Sequence, residues 1–179
     1  MSDQDTTPAP AADAANGATE GGDAPQVAVV AQYIKDMSAE NPSAPAVYQW
    51  QSQPTLDVQF NINVDRVADD FHEVVLKIVV KASSDQGTHF VVDLAYGGLF
   101  GLRNIPEDAL PPFLLIEAPR LLFPFARAIV AEQIQNMGFP PLLLDPIDFA
   151  QAYVAQVEAA QADQGTPGAS LADEPVGNA

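Results

Sequence analysis

The chain has 179 residues and no cysteine, with 24 acidic against 7 basic side chains and a formal net charge of −17. That length favours one domain with tails, and the missing cysteines exclude a disulfide framework or a thiolate metal site. The negative charge repels phosphate backbones, which argues against nucleic-acid binding and in favour of a basic partner.

Residues 1–25 carry five acids, no base and no aromatic side chain. So little apolar surface cannot offset the entropy of ordering, and a disordered acidic tail is expected. The segment lacks the basic start and apolar run of a secretory signal. No apolar stretch approaches the roughly 20 residues that span a bilayer, so the chain reads as cytoplasmic.

Strands come next. "VAVVAQYIKDM" (27–37) is rich in Val and Ile and stops at the turn-prone "SAENPSAP". In "TLDVQFNINVDR" (55–66), Leu56, Val58, Phe60, Ile62 and Val64 alternate with Asp57, Gln59, Asn61, Asn63 and Asp65. "HEVVLKIVVKA" (72–82) alternates likewise, and "SSDQG" (83–87) is a turn into "HFVVDLAYGG" (89–98). There Phe90, Val92, Leu94 and Tyr96 form a core face, while Val91, Asp93 and Ala95 share the other. Four consecutive strands with short polar connections predict an antiparallel meander. Gly97 and Gly98 read as a bulge or bend, since the spacing and lysine of a phosphate loop are absent.

Two helices follow. Leu122, Phe125, Ala126, Ile129, Val130, Ile134 and Met137 recur at helical spacing, with Gly138 placed to end the run. Pro124 favours a start near Leu122, which leaves the proline in the first turn. A shorter helix, about 148–161, takes Asp148 as N-cap and buries Phe149, Tyr153, Val154 and Val157. Residues 163–179 repeat the composition of the first tail, with three acids and no base. The folded unit is thus 26–162. It is an α+β fold, a four-stranded antiparallel sheet with a long and a shorter C-terminal helix on one face. The long helix is apolar round more than half its circumference, which predicts burial on two sides and hence a homo-oligomer. Leu122, Phe125 and Ile129 are the candidate interface.

One polar cluster stands out, Asp69, Asp70, His72 and Glu73 of "ADDFHE". It could serve a divalent cation or acid–base chemistry, in a carboxylate-dependent hydrolase. The simpler reading is a solvated turn entering a strand, because alternation sends His72 and Glu73 to opposite faces. No serine sits in a nucleophile elbow. The chain reads as a binding protein, not an enzyme, with no catalytic residue, metal or cofactor expected.

The stretches "YIKDMSAENPSAP", "ADDFHEVVLKIVVKA", "GGLF", "LLFPFARAIVA" and "FPPLLLDPIDF", in this order, resemble the SecB family of bacterial protein-export chaperones. The resemblance spans nearly all of the folded unit and leaves out the tails. It implies a homotetramer, a dimer of dimers, that holds unfolded precursor proteins without ATP and delivers them to the SecA translocation motor. It also implies an outer sheet face that docks the basic, zinc-containing C-terminal tail of SecA through Asp36, Glu40, Val91 and Asp93. The family usually has Glu at the position of Asp93, so the charge is kept and the reach shortened. Client contacts are implied for the loop after the first strand and the segment before the long helix, here Tyr48, Trp50, Phe113 and Leu114. Family members commonly carry Trp just before the "QP" pair, where this chain has Ser52, and favour Tyr where it has His72. A SecB-like holdase for non-secretory clients, such as a toxin–antitoxin system, is the alternative.

Overall fold

The computed structural model describes residues 24–164; the two predicted tails lie almost entirely outside them. The alternating segments form four strands: β1 (Gln26–Glu40), β2 (Thr55–Ala68), β3 (Phe71–Ser84) and β4 (Gly87–Arg103). All pair antiparallel in one sheet, in the order β1-β4-β3-β2. The predicted meander therefore holds for β2–β3–β4 only. β1 lies beyond β4, because residues 41–54, including a 3₁₀ turn at Ala46–Gln49, carry the chain across the end of the sheet. Alternation tells which face a side chain takes and not which strand lies beside it, so the sequence pattern could not show this Greek-key return.

The predicted core face is buried. Val74, Leu76, Ile78 and Val80 of β3, with Phe90, Val92, Leu94 and Tyr96 of β4, pack under the helices. Gly97 and Gly98 are regularly paired on both sides, so the expected bulge is not there. Their role is close approach. A Cβ on Gly98 would come within 2.7 Å of Leu122 Cδ2, so the long helix rests directly on β4. Two bulges lie instead in the neighbouring strand β1, between Val29 and Ala31 and between Ile34 and Asp36.

The long helix starts earlier than expected. A one-turn helix α1 (Leu110–Pro112) and a π-helical stretch (Phe113–Glu117) run into α2 (Ala118–Asn136), which leaves Pro124 inside the helix. Its side chain and that of Arg120, whose carbonyl loses its partner, are both exposed, so water can satisfy the freed group. At the other end Gly138 adopts φ +86°. The Gly138 and Phe139 amides donate to the carbonyls of Gln135 and Ile134, a Schellman closure. Helix α3 (Phe149–Gln164) begins as predicted: Asp148 Oδ1 accepts the Gln151 amide at 3.0 Å.

Candidate functional sites

Directly paired residues in an antiparallel ladder project from the same face. Glu40 pairs with Val91, Ser38 with Asp93 and Asp36 with Ala95, all on the face away from the helices. The four residues expected to dock a partner thus form one patch across β1 and β4. Asp36 and Glu40 are exposed, Val91 and Asp93 half-buried. The patch is less uniformly negative than the sequence suggests, because Lys77 of β3 approaches Asp93 Oδ2 to 3.1 Å.

Beside the patch stands a group that sequence reasoning missed. Glu73, 9 % exposed, accepts hydrogen bonds at 2.5 Å from Tyr33 Oη on one carboxylate oxygen and from Lys35 Nζ on the other. The Lys35 and Tyr33 bonds hold its carboxyl below the usual range, against the opposing effect of burial. Accepted by that carboxylate and partly buried, the Tyr33 phenol is pushed up to about 12. Tyr33 crosses above Gly97, whose added Cβ would lie 2.8 Å from the ring. The spacing "YIK" and a glycine in the facing strand are the only traces in sequence.

The acidic cluster is dispersed. Asp69 pairs with Arg66 at 3.2 Å, Asp70 with Arg103 at 3.0 Å, and Glu73 with Lys35 on the outer face. His72 pairs with Phe100 in the ladder, on the helix side. Burial, and then the Arg66 charge, lower its pKa. Among the described residues no three His, Cys, Asp or Glu side chains converge on a common point. The hydrolase constellation is not assembled.

The residues expected to contact clients divide between two places. Tyr48 lies in the 3₁₀ turn, not in an extended piece, and donates to the Met137 carbonyl at 2.8 Å. Its ring meets Phe139 at 5.8 Å, and Phe139 in turn meets His89 and Phe90 at 6.4 and 4.9 Å. Trp50 packs edge-on against His89 at 5.0 Å. Tyr48 and Trp50 are therefore joined through Phe139 and His89, with Tyr48 55 % exposed. Phe113 lies instead against Phe100, at 5.8 Å, about 33 Å along β4 from Phe90 at the usual rise per residue. Leu114 is buried in the core, which removes it from the accessible surface.

The interface candidates divide as well. Leu122 is fully buried against its own sheet, and Ile129 is partly buried against the same core. Phe125 is 53 % exposed. Its ring stacks on Tyr96 of β4 at 6.5 Å, on the flank of α2, next to the exposed Leu121, Pro124 and Ala128, and together they form an exposed apolar stripe. The second apolar side inferred from the sequence exists, carried by Leu121 rather than Leu122.

A groove that sequence reasoning missed runs along the free edge of the sheet. Phe60 and Ile62 of β2 face Ile147, Phe149 and Ala152 across about 260 Å³, less than the roughly 300–1,000 Å³ of a small-molecule pocket. Among the described residues β2 is an edge strand, hydrogen-bonded to β3 alone, with its outer backbone groups unpaired. The alternation of "TLDVQFNINVDR" foretold the apolar row but not that it lay at an edge.

The sequence profile of the family "Preprotein translocase subunit SecB" matches residues 20–160. The protein-export protein SecB of Sphingopyxis alaskensis is 56 % identical over 155 residues, 87 % of each chain. That of Zymomonas mobilis is 57 % identical over 134 residues, 75 % of this chain and 82 % of the relative. Among solved structures, a Mycobacterium tuberculosis SecB-like chaperone in complex with an antitoxin peptide matches with a TM-score of 0.55. It is 19 % identical and covers 68 % of this chain and 90 % of its own, which concerns the fold alone. Among the described residues no helix is long and apolar enough to cross a membrane.

Proposed function

The chain belongs to the SecB family, and on that premise we propose that it is an ATP-independent holding chaperone of the cytoplasm. It binds unfolded precursor proteins, keeps them competent for translocation and delivers them to the SecA motor. A binder of the unfolded state draws down the native population by mass action and needs neither nucleotide nor catalysis. The chaperone unit is 26–162, with acidic tails on either side. Non-secretory clients are the weaker reading, since it leans on a fold likeness at 19 % identity, whereas relatives at 56 and 57 % are protein-export proteins.

The observation that carries the reading is the separation of two surfaces. On the outer face, Asp36, Glu40 and Asp93 share three successive same-face rungs with Val91. Apolar neighbours favour docking by excluding water, and carboxylates select a cationic partner, here the basic zinc-containing tail of SecA. On the opposite face, the groove between β2 and α3 offers apolar lining and open backbone, which suits an extended client adding as a strand. The aromatic group around Tyr48, Phe139 and Trp50 extends the client surface at the end of the sheet. The exposed stripe of Leu121, Phe125 and Ala128 supports assembly of dimers into a tetramer.

The test is the Asp93→Lys variant. At low salt it should bind SecA at least tenfold more weakly, by the usual scale of charge reversal at an interface, while still slowing the refolding of a precursor. Equal loss of both activities would contradict a separate docking face.

A further inference from the structure

Tyr33 pairs with Gly97 and shares the outer face with it. If side chains alternated strictly from Tyr33 onward, Asp36, Ser38 and Glu40 would fall on the helix side. They do not, because the bulge between Ile34 and Asp36 inserts one residue and shifts the register. Beyond it Asp36 pairs with Ala95, Ser38 with Asp93 and Glu40 with Val91, while Met37 packs against the core. The extra residue is Lys35. Its ammonium and the Tyr33 hydroxyl, one before the bulge and one within it, are both held by Glu73, which stands on β3 across the intervening β4.

We propose that Glu73, acting through Tyr33 and Lys35 as a clasp over Gly97, is the positioning residue of the outer-face docking patch. The inference rests on the docking reading above and names what builds that site. Glu73 touches no partner. It fixes the bulge, and the bulge decides which face the acidic residues of β1 present. Gly97 is part of the device, since any side chain there would lift Tyr33 from its path to Glu73. The clasp has a second effect. It neutralises Lys35, 46 % exposed, which would otherwise repel a basic partner next to Asp36.

The experiment is a double-mutant cycle on the full chain, read by calorimetric titration with purified SecA at low salt. Glu73→Gln and, as a milder change that keeps the ring over Gly97, Tyr33→Phe should each weaken binding about tenfold, the lower end of the scale of one bond to a charged group. On a background that carries both Asp36→Asn and Glu40→Gln, Tyr33→Phe should cost less than about twofold, because its effect runs through the placement of those two carboxylates. Amide exchange at residues 34–38 should quicken in both Glu73→Gln and Tyr33→Phe. If the Tyr33→Phe loss recurs in full on that background, or Tyr33→Phe and Glu73→Gln leave affinity unchanged while the background substitutions weaken it, the clasp proposal is overturned and docking stands. If the two background substitutions leave SecA affinity unaltered, the docking reading fails and takes the clasp with it.

Discussion

Asp93 holds Lys77 at 3.1 Å with both side chains a third or more exposed, so the pair contributes little to stability. It does, however, occupy a carboxylate that a cationic partner would use. Lys77→Gln should therefore tighten SecA binding by about two- to fivefold at low salt, with the gain shrinking as screening shortens to roughly 8 Å near physiological ionic strength. Titration at two salt concentrations checks this. Glu73 behaves differently because it is buried. Its carboxyl is held below the ordinary 4.5, so its contribution is complete above that value and is lost as pH falls through the lower folded value. The raised Tyr33 phenol gives the opposite limb, complete below 10.0 and lost as pH climbs towards about 12. Glu73→Gln should flatten the acid limb, seen as a smaller drop in urea midpoint between about pH 5.5 and about pH 3 than in the parent.

Elements that rest on local pattern were legible in the sequence. Alternation from Leu56 to Val64 marked β2, Asp148 marked the start of α3 and Gly138 the end of α2. What depends on neighbours was not. The adjacency of β1 and β4, which gathers the docking candidates, follows from a crossing loop and two bulges that leave no periodic trace. Leu122 and Leu121 are likewise indistinguishable by composition, yet one enters the core and the other faces out. Pro124 suggested a helix start only because local rules ignore how firmly α2 is pinned to β4. That pinning is testable. Gly98→Ala would drive a methyl into Leu122 and Phe100, at 2.7 and 2.8 Å, and should destabilise the chain by about 1–3 kcal/mol. Asp148→Ala removes a cap and should cost about 1 kcal/mol. Urea unfolding of the two variants measures both.

At the scale of the molecule, the proposed function divides two tasks between the two faces of one sheet. Among the described residues, its helix side and β2 edge present apolar surface and unpaired backbone, and its outer face presents carboxylates in the rungs that follow Val91. A holding chaperone of this design should carry a client and meet the motor at the same time, because neither surface obstructs the other. If the exposed residues of α2 join dimers as proposed, Phe125→Asp should leave species smaller than a tetramer, seen by sedimentation. The most direct measurement is native mass spectrometry of the full chain with an unfolded precursor and SecA, separately and together. The account predicts a particle about four times the 19.0 kDa chain mass that binds the precursor and then adds SecA without releasing it. A lone monomer, or displacement of the precursor by SecA at the moment of docking, would contradict it.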